Sequence, residues 1–217
     1  MLASVVIDQV AGELQDPSYV RWSLAKLLDY LSSAQRAVAL VRPDATATVA
    51  AVLLVAGTKQ SLPTGGLRLL KVNRNMGVAG ATPGGVIRKV DVETLDNYDQ
   101  DWHLAAKASA TVLEYVYDDR VPKNYYVNPP VPASPAVYAE IAYSVTPAQV
   151  TAVGDTLAID DVYEAALRHW TLYLAYSLNV EQRNAGRAQT HFSGFFSVLG
   201  VKIQGDMMVS PNRPGAK

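Results

Sequence analysis

Apolar residues recur at helical spacing near both ends of the chain and at strand spacing between them. Residues 2–14 place Leu2, Val5, Val6, Val10 and Leu14 on one side of a helix. Asp16-Pro17 closes that helix or opens the next, because proline fits a first turn and not a helix interior. Residues 22–41 carry Leu24, Leu27, Leu28, Leu31, Val38 and Val41, an i, i+3, i+4, i+7 stripe that predicts a second helix. Trp22, Leu27, Leu28 and Leu31 are its expected core residues. Arg42-Pro43 ends it, since a residue before proline is pushed out of the α region.

The pattern changes over about 48–146. Thr48 to Ala56 is a continuous apolar run rich in β-branched residues, and it predicts a strand buried on both faces. Leu67–Val72 predicts a second strand. Gly77 to Gly85 holds four glycines and a proline and is expected to be a loop. Short strands are expected near 86–91, 112–117, 124–127 and 137–145. In the last, Val137, Ala139, Ile141, Tyr143 and Val145 share one face. Pro122, Pro129, Pro130, Pro132 and Pro135 disfavour long central strands here.

Helix returns over about 161–200. Asp161 and Glu164 have capping-box spacing, in which each side chain satisfies a free backbone N–H. Apolar residues then cover most of the circumference of 162–178, so this helix is expected to be central. A further stripe over 180–200 includes Ala188, Phe192, Phe195, Phe196 and Leu199, with Gly200 as its stop. Trp170, Tyr173, Phe192 and Phe196 are the expected core residues of these helices. Residues 204–217, QGDMMVSPNRPGAK, are short of core formers and predict an extended tail. The fold class expected is α+β. It is mainly an α-helical bundle from the N- and C-terminal segments, with a β-rich insertion and an extended C-terminal tail. Residues 1–203 form one domain and 204–217 the tail.

A chain of 217 residues can bury roughly 70% of the surface its unfolded form exposes, and needs no staple. The absence of cysteine excludes disulfides and thiolate metal sites. Nineteen basic residues nearly cancel twenty acidic ones, and the net charge of −1 gives no global attraction to nucleic acid or anionic membranes. The end from Arg187 onward is locally basic, with Arg187, Lys202, Arg213 and Lys217 against Asp206. The first residues do not form a signal peptide, because Asp8 and Glu13 interrupt their apolar run. No apolar stretch reaches the roughly 20 residues of a membrane span, so the protein is expected in the cytoplasm.

No motif carries catalytic chemistry. His103, His169 and His191 are far apart in sequence, with no i, i+4 pair of the helical zinc type. His169, inside the most apolar helix, reads as a hydrogen-bonded core histidine, and His191 as an interface or partly exposed one. Asp118-Asp119 suits a turn. Asp160-Asp161 opens a helix, where negative charge favours the dipole. Gly65-Gly66 and Gly84-Gly85 match no phosphate-binding loop, and no G-x-S-x-G elbow is present. Tyr115, Tyr117, Tyr125, Tyr126, Tyr138 and Tyr143 gather in the β region, where sheet packing or a protein interface suits them better than base stacking. The expectation is a protein that is not an enzyme, with no cofactor and no metal.

The order of features carries a resemblance. Trp22 opens LAKLLDYLSSAQRAVALVRPDA, then GTKQSLP (57–63), LRLLKVNRNMG (67–77), Leu95-Asp96 and Trp102 follow. VYDDRVPKNYYVNPPVPA then leads to IDDVYEAALRHWTLYLAYSLNVEQRNAGRAQTHFSGFF. Over about 20–200 this succession resembles the phage adaptors related to the tail tubular protein A of short-tailed phages and to head-tail connector proteins. The resemblance implies a ring, usually dodecameric, beneath the portal protein at the capsid vertex. Such a ring extends the channel through which genomic DNA passes without sequence-specific binding, and it presents a surface to a tail or nozzle protein. It also implies residence in the virion after synthesis in the bacterial cytoplasm, and a C-terminal segment that engages the portal. Here that segment is 204–217, with Met207, Met208 and Val209 as an adaptable apolar anchor beside Pro211 and Arg213. The competing readings are a tail-completion ring and a non-enzymatic ligand-binding domain in the tyrosine-rich region.

Overall fold

The computed structural model describes residues 1–178 and 184–209, and of residues 201–209 the helical path alone. The chain divides into two compact units: Met1–Ala45 with Pro147–Lys217, and Thr46–Thr146. At 39% helix and 24% strand the fold is α+β, but it is not mainly a helical bundle. The strand-bearing segment has a core of its own.

In the helical unit α1 spans Ala3–Glu13 and α2 spans Leu24–Val41. Two free N–H groups of α1, at Ala3 and Ser4, donate to the carbonyls of Asp155 and Val153 in place of a side-chain cap. The α1–α2 turn is built by Asp16. Its buried carboxylate accepts from the N–H groups of Val20, Arg21 and Trp22 at 3.0, 2.7 and 2.9 Å. These bonds, that from Trp22 first, hold the Asp16 carboxyl below its ordinary pKa. Trp22 precedes α2, is buried, and donates from Nε1 to the carbonyl of Ala175 at 3.2 Å. Leu27, Leu28 and Leu31 are buried beside it. The segment before the next helix is tied to α2 by two buried polar side chains. Ser32 Oγ accepts from Val150 N, and Gln35 Oε1 accepts from Ala158 N.

In the β unit β1 (Ala47–Leu53), β7 (Tyr138–Val145) and β3 (Gly66–Asn75) form one antiparallel sheet in the order β1-β7-β3. The second sheet, β2-β6-β5-β4, uses β2 (Gly57–Ser61), β6 (Asn124–Val131), β5 (Glu114–Val116) and β4 (Arg88–Lys89). A short helix, α3 (Val92–Tyr98), follows β4. Between the sheets lie Leu69, Val72, Tyr115, Tyr125, Val127 and Ile141. Two buried amides close loops onto this core. Asn75 exchanges two hydrogen bonds with the backbone of Val112, and Gln60 exchanges two with Val55.

Two expectations for this unit change, and two further elements were not foreseen. β1 is an edge strand whose burial alternates, with Val49 59% and Leu53 52% exposed, so it is not buried on both faces. An apolar run cannot by itself distinguish a sandwiched strand from one with an open apolar face. Next, β6 is a central strand despite Pro129 and Pro130. Its ladder to β2 slips between Gly57↔Val131 and Lys59↔Tyr126, and its ladder to β5 ends at Asn128. The prolines sit in that interruption, where no ladder N–H is required. Finally, β2 and α3 lack the alternation or stripe that would mark them in sequence.

The remaining helices are α4 (Glu164–Leu178) and α5 (Ala185–Val209). α4 packs on α1, α2 and α5, the central place expected of it. The capping box of Asp161 and Glu164 does not form. Asp160 Oδ1 accepts from Val162 N at 3.1 Å in a 3-10 turn before α4, and the Glu164 carboxylate takes the Gln9 amide. α5 passes through Gly200 and ends at Val209, so the first six residues of the expected extended tail, 204–209, are helical. A lone helical glycine costs about 1 kcal/mol, which continued helix can outweigh.

Candidate interaction surfaces

α4 and α5 run antiparallel, and their contact is aromatic. Trp170 lies 4.7 Å from Phe195 and 5.3 Å from Tyr173, ring centre to ring centre. Phe192 lies 5.2 Å from Tyr173 and 5.0 Å from Phe196. Phe195 is fully buried, whereas Trp170, Tyr173 and Phe192 are half-buried and Phe196 is 45% exposed. Phe196, expected in the core, therefore belongs to the surface, and its neighbour Phe195 fills the core in its place. The helical step of about 100° per residue separates the two rings. What looks like core pattern in the sequence is a seam open along one side.

A polar cluster lies deeper between α1, α4 and α5. His169 Nδ1 is 3.1 Å from His191 Nδ1, so one ring donates and the other accepts. His191 Nε2 is 3.3 Å from Glu13 Oε1, and the His191 ring stacks on Tyr176. Gly194 makes the approach possible: a Cβ there would stand 2.9 Å from the His169 ring. Burial pushes both imidazoles below their ordinary pKa. Arg168 adds to this at both, and Glu13 opposes it. His191, expected at an interface or partly exposed, is buried. Among the described residues no three His, Asp or Glu side chains gather as metal ligands.

The outer faces of the two sheets differ in charge. Cross-strand register puts Lys71, Ala142 and Val49 in one row, and Arg74, Glu140 and Ala51 in the next. The outer face of the first sheet is thus basic along β3 and apolar along β1. On the second sheet Val116 and Tyr126 face away from the core residues Tyr115 and Tyr125, and Leu95 of α3 clusters with Val116. Beside α3 is a cleft of about 550 Å³ lined by Val92 and Val116 together with Asp91, Glu93, Asp118, Asp119 and Arg120.

The tyrosines of the β region do not make one platform. Tyr115, Tyr125 and Tyr143 enter the core, and Tyr126 stands outside at the edge of Trp102. His103 packs on Trp102 and contacts Thr58 Oγ1. The Asp118-Asp119 pair serves structure: Asp118 accepts from Arg120 N, and Asp119 pairs with Arg68 at 3.0 Å. Met207, Met208 and Val209 lie on the last turn of α5, and their side chains are outside the described residues, as are Pro211 and Arg213. The buried polar anchors Gln35 and Asn75 were not legible as such, because their partners are backbone groups distant in sequence, whereas Asp16 and Gln60 bind backbone only a few residues away.

No described helix is long and apolar enough to cross a membrane. No curated protein matches the chain. The family model described as SU10 adaptor protein matches residues 1–215, which is nearly the whole length. The chain therefore belongs to the SU10 adaptor protein family.

Proposed function

We propose that this phage structural adaptor assembles as a homo-oligomeric ring, dodecameric on the resemblance, between the portal protein and a tail or nozzle protein. The ring extends the DNA channel and catalyses nothing. The observation that carries this reading is the half-open aromatic seam of Trp170, Tyr173, Phe192 and Phe196 on α4 and α5. Apolar surface left in water forgoes about 25 cal/mol per Å², and large aromatics left uncovered mark a protein interface. Family membership supplies the adaptor context, and the near-neutral charge suits a channel that must let DNA slide. In this reading the end of α5 with residues 210–217, including Met207, Met208, Val209, Pro211 and Arg213, engages the portal.

The test is electron microscopy of lysates from the parent virus carrying a stop codon at Tyr30. DNA-filled or leaking heads without tails are expected. Normal tailed particles would overturn the proposal.

A further inference from the structure

Charge in the β unit is sharply divided. Residues 62–90 contain Arg68, Lys71, Arg74, Arg88 and Lys89 and no acid, whereas residues 91–119 contain eight acids against Lys107. The fold delivers part of this division to two different outer faces. The first sheet presents Lys71 and Arg74 beside the exposed apolar strip of Val49 and Leu53. Arg74 is 3.9 Å from Glu140, and Lys71 has no ion pair among the described residues. The second presents the cleft lined by Val92 and Val116, where Asp91, Glu93, Asp118 and Asp119 outnumber Arg120, with exposed Val121 and Tyr126 adjoining beside Lys59. Each face is an apolar patch with a charged border, and the two borders have opposite sign.

We propose that the basic face of β3 and β1 in one copy docks on the acidic cleft beside α3 in the next copy. The occupant is a second copy because the two halves of the match are on the same chain. Attraction between oppositely charged borders sets register, and apolar contact between them supplies burial. The pair Arg68–Asp119, at 3.0 Å, makes within one copy the kind of contact that the interface repeats between copies. Two different patches in contact make a heterologous interface, which closes into a ring when the rotation between neighbours allows. The inference rests on the ring reading above and names its subunit contact.

The experiment uses the virus with the Tyr30 stop, supplied with full-length protein from a plasmid. One variant carries Lys71→Glu and Arg74→Glu, so both of its faces are acidic. The other carries Asp91→Lys and Glu93→Lys, so both are basic. All four positions are exposed, and melting curves check that each variant folds. Lys71→Glu alone stands in for the first if Arg74→Glu beside Glu140 disturbs folding. Like charges across the contact should lower the yield of tailed particles by about tenfold or more for either variant alone. Supplied together, the two alternate around the ring and restore the yield. Wild-type yield from either variant alone would overturn the interface, with the ring reading intact. Loss without restoration on mixing would also overturn it and point to the portal or a tail protein as the occupant. Normal tailed particles with no protein supplied would overturn the ring reading itself.

Discussion

Adjacent phenylalanines on α5 have opposite fates, and this gives a clean comparison. Phe195 is fully buried against Trp170, whereas Phe196 is 45% exposed. Phe195→Ala should cost about 3–5 kcal/mol in chemical denaturation. Phe196→Ala should cost well under about 1 kcal/mol, yet impair assembly. Equal losses would mean that Phe196 is covered within one copy. The histidine pair sets a second test. Both imidazoles are held below their ordinary pKa, so below about 6.5 the unfolded chain takes up protons that the folded one resists. Stability is thus full above that pH and falls as pH drops through it toward the folded pKa values. The melting temperature should drop on moving from about pH 7.5 to about pH 5.5, and less so in the double variant His169→Gln, His191→Gln. Identical pH profiles would remove these groups from the balance that Glu13, Arg168 and Arg187 also shape. The pairing was invisible in sequence because residues 22 apart on two helices meet only when those helices fold back on each other.

α5 shows how a helix can outrun its sequence signals. Gly200 reads as a stop, but space around it is open and the helix continues to Val209. Gly200→Ala should therefore raise stability by about 0.5–1 kcal/mol. Gly194→Ala should do the reverse, because its new methyl group would meet the His169 ring at 2.9 Å. A stabilised Gly194→Ala protein would show that the two helices can move apart at no cost. The strands were more legible than their setting. The alternation of Val137, Ala139, Ile141, Tyr143 and Val145 marks the inward face of β7. The apolar run of β1 marks a strand without revealing that one face stays open. β2 and α3 owe their form to neighbours, β6 and the Trp102 cluster, which no local pattern announces.

For the whole molecule, the turn signals at Arg42-Pro43 and the helical return near 161 outline the helical unit. What they do not convey is that the segment between is a unit with its own core. The proposed portal contact makes a prediction at this scale. Removing residues 210–217 should leave melting unchanged and abolish co-sedimentation with the portal protein. Retained binding would put the contact elsewhere on the chain. The β unit begins and ends on neighbouring strands, since Ala47 of β1 stands opposite Ser144 of β7. Across one antiparallel rung such residues are about 5 Å apart, so the path leaves the helices and returns to them almost at a single point. A short hairpin could span that gap. The entire β unit is therefore a cassette that gene exchange could trim, enlarge or replace, while the helical unit keeps the same chain ends to join.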